Sequence, residues 1–362
     1  MTFRCISDHL VRASVLLSII AAVGLGACAS PPESSSQTPS QTPTASVANP
    51  APATVRVATA GALGQAGQYL AQANGYFADE GLSDEFVNMD PDASLAGLIS
   101  GEVDVAANGL DPALFNALRD GVGVRIVATQ ASSDLNADGV FLVVRKELID
   151  RGEVKSFTNL KGLKAALPGR GGSLEFLLAR TLEAGNLTLS DLGVIVVMNF
   201  QNAVAALGTG AVDFAFLPEP LATVAVHNGS GVKWKGAADI VPGLQQSVIV
   251  FSQRFVSEPE LATKWMTAYI RGIRDYDDAF RKGLHRPQTV AALSTALGIQ
   301  PALFDDMGFM QMDPDGRINM ASLRDLTDWY LAVGSLNQPV DFANAVDSSF
   351  VDSALQQLGE YP

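Results

Sequence analysis

Leu98-Ile99-Ser100-Gly101-Glu102-Val103-Asp104-Val105-Ala106 recurs 109 positions later as Leu207-Gly208-Thr209-Gly210-Ala211-Val212-Asp213-Phe214-Ala215. The shared pattern, L-x-x-G-x-V-D-x-A, is typical of a helix end, a glycine turn and the start of an apolar strand. At the same offset, Val87-Asn88-Met89 aligns with Val196-Val197-Met198, and the glycine turn Ala60–Gly64 aligns with Gly169–Ser173. Because several features share one register, the sequence predicts two lobes of the same topology.

Short apolar runs alternate with helix-length amphipathic runs outside this repeat. Helices are expected at Gln65–Asn74 and Leu174–Ala184, and the pattern is almost wholly helical after Glu258. Such alternation is typical of an α/β fold with mainly parallel sheets. Ligands bind such sheets at the carboxyl ends of the strands, so two facing lobes would enclose a cleft. The predicted strands are Val55–Thr59, Glu85–Met89, Val103–Ala107, Val124–Thr129, Val140–Arg145, Leu163–Leu167, Val194–Met198, Phe214–Leu217, Val232–Trp234 and Ser247–Ser252.

The composition argues against several functional classes. The chain has 362 residues and a formal net charge of −14, whereas a nucleic-acid binder needs a basic surface to neutralise phosphates. The 48% of hydrophobic residues supports a packed core. Cys5 and Cys28 are the only cysteines, and beyond residue 28 the only histidines are His227 and His285, in no metal-ligand spacing. The sequence therefore predicts no metal site and no cofactor.

The first 27 residues have the features of an export signal. Arg4 and Arg12 accompany the apolar stretch from Ala13 to Ala27, which is shorter than the ~20 residues of a spanning helix. The stretch ends in Leu25-Gly26-Ala27-Cys28, which resembles the lipobox of bacterial lipoproteins. That resemblance implies cleavage before Cys28 and its lipidation; the alternative is a plain signal peptide with a chance cysteine. Residues 28–53 are rich in Pro, Ser and Thr, which predicts a disordered tether after the lipidated cysteine.

Several short motifs of the remaining chain resemble one known family. They are Tyr69-Leu70-Ala71-Gln72-Ala73-Asn74-Gly75-Tyr76-Phe77-Ala78-Asp79-Glu80-Gly81-Leu82, Ser100-Gly101-Glu102-Val103-Asp104, Asn159-Leu160-Lys161-Gly162-Leu163-Lys164, Pro218-Glu219-Pro220, Asp315-Gly316-Arg317-Ile318-Asn319 and Val346-Asp347-Ser348-Ser349-Phe350. In this order, from about residue 54 to 360, they are similar to periplasmic solute-binding proteins of ABC transporters. The similar branch takes nitrate, alkanesulfonates and taurine, and includes binders of the thiamine pyrimidine. Asn159 stands where that family usually has Asp.

The resemblance implies a two-lobe α/β fold, the type II periplasmic-binding-protein fold, shaped as a clamshell with two crossover strands. These strands would be Val140–Arg145 and Ser247–Ser252. Lobe one would then comprise residues 54–145 and 250–362, and lobe two residues 146–249. The implied function is that of a lipid-anchored, extracytoplasmic protein that captures a small solute and delivers it to an ABC permease and its ATPase. We expect a monomer that is held at the membrane by the lipid on Cys28.

Two other functions are compatible with the same resemblance. The first is an enzyme on this fold, such as a relative of thiamine-pyrimidine synthases, which carry a cysteine-rich motif and a histidine that the reaction consumes. Since no cysteine follows Cys28, we expect no enzyme. The second is a lipoprotein that senses a ligand for a signalling partner. Neighbouring genes for a permease and an ATPase would favour transport over sensing.

The candidate ligand residues lie in loops that the repeat places at the cleft. Arg170 lies in a glycine-rich turn before a helix, where backbone N–H groups favour an anion; the alternative is an ordinary loop with a solvated Arg170. Asn108 is either a ligand contact or a turn residue, and Glu219 either contacts ligand or caps the next helix. The full candidate set is Gly61, Leu63, Gln65, Gln68, Asn108, Gly109, Arg170, Gly172, Ser173, Asn199, Phe200 and Glu219.

The same residues leave the ligand class open. Arg170 and the glycine-rich helix starts favour a small organic acid or sulfonate, to which the balance slightly inclines. Asn199 and Phe200 favour a neutral or cationic heterocycle instead, although Phe200 is also a plausible core residue. Asp104 and Asp213 are expected to cap turns in different lobes and not to form an acid–base pair.

Replacing Cys28 by serine tests the predicted anchor. Cys28→Ser removes the thiol that would carry the lipid, so the protein should be unprocessed or should leave the membrane fraction. Metabolic labelling with a radioactive fatty acid, followed by detergent partition, measures both effects. A Cys28→Ser protein that keeps the wild-type label and partition would show that the anchor lies elsewhere.

Overall fold

Ten strands form two five-stranded sheets in a computed structural model, which describes residues 51–135 and 137–362. The strands are β1 Ala53–Thr59, β2 Leu82–Asn88, β3 Val105–Gly109, β4 Val124–Ser132, β5 Val140–Arg145, β6 Lys164–Leu167, β7 Val194–Val197, β8 Phe214–Pro218, β9 Gly231–Gly236 and β10 Gln245–Ser252. All ten predicted strands are confirmed, with ends displaced by a few residues. The predicted signal peptide, Cys28 and the tether up to residue 50 lie outside the described residues.

Helices cover both sheets and dominate the C-terminal part. They are α1 Ala66–Ala73, α2 Tyr76–Asp79, α3 Pro91–Ser100, α4 Pro112–Arg119, α5 Lys146–Asp150, α6 Ser173–Glu183, α7 Phe200–Thr209, α8 Leu221–His227, α9 Gln253–Val256, α10 Pro259–Phe280, α11 Arg286–Leu297, α12 Met320–Ala332, α13 Phe342–Ala345 and α14 Ser349–Leu358. Within the part of the chain that is described, no helix is both long and apolar enough to cross a membrane.

The two sheets have the same strand order, which confirms the predicted repeat. The first sheet runs β2-β1-β3-β10-β4 and the second runs β7-β6-β8-β5-β9. In the first, β1 is parallel to β2 and β3, whereas β10 is antiparallel to β3 and β4. In the second, β6 is parallel to β7 and β8, whereas β5 is antiparallel to β8 and β9. Both sheets are therefore mixed, with one inserted antiparallel strand each.

The repeated aspartates fix this inserted strand in both sheets. Asp104 accepts a hydrogen bond from the backbone N of Arg56 at 3.0 Å and forms an ion pair with Arg254. Asp213 accepts one from the backbone N of Lys164 at 2.9 Å and forms an ion pair with Arg145, also at 2.9 Å. Each buried carboxylate thus joins a parallel strand, β1 or β6, to an arginine at or just past the end of the inserted antiparallel strand. Both aspartates are therefore structural, as expected, but they connect strands and do not cap their own turns.

The lobe boundaries differ from the sequence-based expectation. Val140–Arg145 was expected in lobe one, but it pairs only with strands of the second sheet. Residues 247–249 were expected in lobe two, yet they pair with β3 and β4 of the first sheet. Each expected crossover strand therefore belongs to a single sheet, and the chain crosses between the sheets in residues 133–139 and 237–244. An apolar strand can pack in either sheet, so its sequence alone does not assign it.

Residues 306–319 form a third connection where helix was expected. They contain no helix. At one end, Gly316 O accepts a hydrogen bond from Thr129 N on the first sheet at 3.0 Å. At the other end, Gly308 N donates to Glu219 Oε1 at the edge of the second sheet, at 3.1 Å. Motion of one lobe against the other must therefore act on three segments.

A buried carboxyl group lies on β2 in the first sheet. Asp84 Oδ2 accepts a hydrogen bond from Trp265 Nε1 at 2.9 Å, and its Oδ1 has no partner among the described residues. The pKa of Asp84 is raised to about 7, chiefly because burial away from water disfavours the charged form; the Trp265 hydrogen bond lowers the pKa and the nearby Asp104 carboxylate raises it. The unfolded chain loses this proton near pH 4 and the native protein keeps it to about pH 7. The free energy of unfolding therefore decreases as the pH rises from about 4 to about 7.

Replacing Asp84 by asparagine should remove this pH-dependent loss. Asp84→Asn keeps an acceptor for Trp265 Nε1 and has no proton to lose, so it should stabilise the protein by about 2–4 kcal/mol at pH 8 and much less at pH 4. Urea unfolding at both pH values measures the difference, with Glu85→Gln, an exposed carboxylate on the same strand, as the matched control. An Asp84→Asn effect that is the same at pH 4 and pH 8 would contradict the assignment.

Candidate ligand-binding cleft

The carboxyl ends of the parallel strands in both sheets carry the predicted site loops. In the first lobe these are the loop after β1 and the end of β3; in the second they follow β6, β7 and β8. Gly171, in the loop after β6, has a φ of +76°, and a Cβ built on it would lie 3.8 Å from Pro112 of the first lobe. The loops of the two lobes therefore meet at the edge that parallel α/β sheets use for ligands.

Helix α12 closes one side of this cleft by packing against both lobes. Tyr330 Oη donates a hydrogen bond to Leu110 O, just past β3, at 2.6 Å, and its ring centroid lies 5.5 Å from that of Phe115. On the other lobe, the ring of Trp329 packs edge-on against Phe176 of α6, with centroids 5.7 Å apart. One apolar cluster consequently continues from the first lobe through α12 into the second.

In the first lobe, Gln65 holds the loop after β1. Its Oε1 accepts hydrogen bonds from the backbone N of Ala60 at 2.9 Å and of Ala62 at 3.3 Å, and its Nε2 donates to Ala58 O at 3.4 Å. Gly61 is exposed and has a φ of +64°, whereas Leu63 packs in the core. The backbone N–H groups of Ala60 and Ala62 therefore donate to Gln65, whose side chain holds the loop in this conformation.

In the second lobe, the glycine-rich turn holds an internal carboxylate. Glu175, in the first turn of α6, accepts a hydrogen bond from Gly171 N through Oε2 at 2.5 Å. Its Oε1 lies 2.6 Å from Arg170 Nη2, an ion contact without hydrogen-bond geometry. The Glu175 carboxylate is 6% exposed, whereas the Arg170 side chain is 53% exposed. Gly172 and Ser173, at the start of α6, are half-buried. Arg170 thus contacts Glu175 while much of its side chain stays exposed, and a ligand role for it stays a prediction.

Glu219 lies just past β8, and its fully buried carboxylate pairs with Lys233, whose side chain is 18% exposed. Its Oε1 is 2.5 Å from Lys233 Nζ, and it also accepts the 3.1 Å hydrogen bond from Gly308 N. Oε2 accepts a hydrogen bond from Thr223 N in the first turn of α8 at 3.1 Å, which is the predicted helix-capping contact. A Cβ on Gly308 would overlap Asp138 O, so only glycine lets the backbone come this close. Glu219 therefore attaches the third connection to the second lobe.

The remaining predicted residues are polar groups at strand and helix ends. Asn108 is buried at the end of β3, where Nδ2 donates to Ser94 Oγ at 3.3 Å and Oδ1 has no partner among the described residues. Gly109, next to it, is exposed. Gln68 is buried on α1, and both polar atoms of its side chain lack partners within the described chain. Buried groups of this kind need water or a ligand, since leaving them unpaired costs about 1–3 kcal/mol each.

Asn199 and Phe200 begin α7. Asn199 is exposed and caps the helix by accepting a hydrogen bond from Asn202 N at 2.8 Å. Phe200 is half-buried and packs against the apolar cluster of the second lobe, in line with the alternative of a core residue. These two residues therefore have clear structural roles, and a ligand role for them stays a prediction.

A polar cavity of about 310 Å³ lies beside the connecting segments. Its lining includes Ser133 of the first connection, Gly243 of the second and Gln311 of the third. Arg281 and Arg317 contribute charge to the lining, but they are ion-paired with Asp277 and Asp315, respectively. Because all three connections line it, the cavity must change shape when the lobes move.

Three partners at the cleft were not identified from the sequence: Glu175, Lys233 and Gly308. Glu175 was detectable in principle, because an acidic residue in the first turn of a helix is a usual cap for its free N–H groups. Lys233 and Gly308 are distant from Glu219 along the chain, so no local pattern indicates them. No group of three or more His, Cys, Asp or Glu in the described chain could hold a metal ion.

Removing Lys233 should expose the cost of the buried Glu219 charge. Lys233→Met leaves this carboxylate buried without its cation, which typically destabilises a protein by about 3–5 kcal/mol. Urea unfolding measures the loss, and Lys235→Met on the same strand is the matched control. If Lys233→Met is no less stable than Lys235→Met, the ion pair is not what holds Glu219.

Comparison with known proteins assigns the chain to a family. The model of the family described as NMT1/THI5 like matches residues 64–278, more than half of the chain. No curated protein matches it.

Solved structures resemble the whole described fold at low sequence identity. The nitrate-binding protein NrtA of Synechocystis PCC 6803 has a TM-score of 0.67 and 15% identity, over 85% of this chain and 89% of its own. The aliphatic sulphonate binding protein SsuA of Escherichia coli has 0.65 and 19%, over 83% and 92%. The Candida albicans CA3427 product, described as having the generic periplasmic binding protein fold, has 0.59 and 15%, over 82% and 96%. The chain therefore belongs to the NMT1/THI5-like family and has the two-lobe periplasmic binding protein fold.

Proposed function

We propose that this protein is the solute-binding component of an ABC importer. It captures a small solute between its two lobes, outside the cytoplasm, and delivers it to a permease driven by an ATPase. It acts as a monomer, is attached to the membrane by a lipid on Cys28 and performs no chemistry on the solute. The structural relatives named for sulphonate and nitrate binding support this class of function.

The facing strand ends are the observation that carries the proposal. Two sheets of identical strand order direct their carboxyl-end loops toward each other, as the approach of Gly171 to Pro112 indicates. The described residues of the two segments that join the sheets, 133–135 with 137–139 and 237–244, form no strand or helix, so these segments can adjust when the lobes move. A two-lobed protein with such connections is suited to closing around a ligand.

Binding and closure are coupled because the ligand contacts both lobes only in the closed form. A solute that touches the first lobe near Asn108 and the second near Asn199 binds the closed form more tightly and shifts the population toward it. The third connection, attached through Gly308, limits the motion by holding part of the C-terminal region on the second lobe. The permease then distinguishes loaded from empty protein by its shape.

A thermal-shift screen of the full-length chain in nonionic detergent tests the proposal. The panel contains sulfonates, nitrate, amino acids and pyrimidines. A true ligand at about 100 times its Kd should add about 2.7 kcal/mol of stability and raise the melting temperature. If no compound of the panel raises the melting temperature, the result counts against a solute-binding role.

The fate of the bound solute separates binding from catalysis. After hours with the protein, the stabilising solute should be recovered chemically unchanged by mass spectrometry. A product that accumulates with time would favour the alternative of an enzyme on this fold. Co-purification of the chain with a sensor kinase, and not with a permease, would favour the sensor.

A further inference from the structure

We infer that Glu175 excludes oxyanions from the glycine-rich turn before α6 and that the captured solute is a hydrogen-bond donor. This inference rests on the proposed function and narrows its ligand class. Sulfonate and nitrate carry a negative charge that a glycine-rich turn at a helix start would ordinarily hold. In this protein the corresponding turn, residues 169–172, already holds a carboxylate of the chain itself.

The carboxylate of Glu175 has the contacts that a bound oxyanion would need. One oxygen accepts the N–H of Gly171 at 2.5 Å, and the other lies 2.6 Å from the guanidinium of Arg170. The residue is 5% exposed, so it is fixed in this position by its surroundings. It lies in the first turn of α6, an 11-residue helix whose positive end it also neutralises. The Glu175 carboxylate therefore occupies the position in this turn that a bound anion would take.

A second anion at this turn would be repelled. It would face the buried negative charge of Glu175 at short range, where water screens poorly. The cation nearest to the turn, Arg170, is already in contact with that charge. An oxyanion at this turn would therefore have to compete with Glu175 for the guanidinium of Arg170.

In the other described cleft loops, groups that could hold an anion already have partners within the protein. In the first lobe, Gln65 accepts the N–H groups of Ala60 and Ala62, which would otherwise face a ligand. In the second lobe, Lys233 is bound to the buried carboxylate of Glu219 at 2.5 Å. Glu175 and Glu219, the buried carboxylates of these described loops, thus each have a cation of the chain beside them.

A neutral group is what remains available at the strand ends. Asn108 is buried at the end of β3, and its Oδ1 lacks a partner among the described residues. An amide oxygen accepts a hydrogen bond from an N–H or O–H donor, which an uncharged amide or heterocycle supplies and a nitrate or sulfonate does not. The unpaired oxygen of Asn108 therefore favours a ligand that carries an N–H or O–H donor.

Glu175→Gln tests the inference by freeing the turn. The glutamine keeps an acceptor for Gly171 N but removes the negative charge, so Arg170 and the start of α6 become available. Calorimetry of the full-length chain in nonionic detergent, with sodium sulfate and ethanesulfonate as probes, should show binding that is roughly 10–150-fold tighter than to the wild type, as one gained charge-assisted hydrogen bond implies. Adding Arg170→Ala to this variant should abolish the gain.

Glu183→Gln is the matched control, because Glu183 is an exposed carboxylate of the same helix that pairs with Arg180. It should bind sulfate and ethanesulfonate no better than the wild type. Melting curves establish that each variant is folded. Uracil and thymine serve as uncharged probes, and calorimetry should show that the wild-type protein binds them.

Tight binding of ethanesulfonate or nitrate by the wild type, undiminished relative to Glu175→Gln, would overturn the inference and leave the solute-binding role intact. A Glu175→Gln protein that is folded but gains no affinity for either probe would also overturn it. Failure of the proposed function has a different signature: no solute of any class binds the wild type, whereas Glu175→Gln still gains sulfate binding.

Discussion

Each sheet of this protein is completed by a strand that enters after the chain has crossed from the other sheet. β10 enters the first sheet between β3 and β4, and β5 enters the second between β8 and β9. The buried aspartates Asp104 and Asp213 hold these insertions through ion pairs with Arg254 and Arg145. Because the crossings occur at the carboxyl ends of the parallel strands, the two sets of loops are forced to face each other. The cleft, its hinge and the proposed function all follow from the insertion of β10 and β5 after these crossings.

The charges at the cleft are balanced inside the protein. Glu175 and Arg170 neutralise each other in one loop, and Glu219 and Lys233 do so in the next. Buried ion pairs contribute little net stability, but removing one partner is costly, so they fix loop geometry more than they strengthen the fold. The proposed solute would therefore be selected by hydrogen bonds and shape.

Much of the fold was predictable from the sequence, because it depends on local patterns. Alternating apolar runs located all ten strands, and the repeat around Asp104 and Asp213 predicted the common topology. The lobe boundary was wrong because the apolar strand Val140–Arg145 packs equally well in either sheet by its own sequence. The site was less predictable. The sequence suggested that Arg170 binds an anionic ligand. Whether Arg170 contacts a ligand or Glu175 depends on side-chain conformations that the spacing of residues does not specify.

The most direct measurement of the central claim is the distance between the lobes in solution. Spin labels on cysteines at Asp120 of the first lobe and Asn228 of the second, both exposed, report this distance by pulsed electron paramagnetic resonance. A solute that raises the melting temperature should shorten the mean distance and narrow its distribution, because it binds the closed form more tightly. An unchanged distribution at saturating concentrations of such a solute would contradict the account, since the ligand would then bind without engaging both lobes.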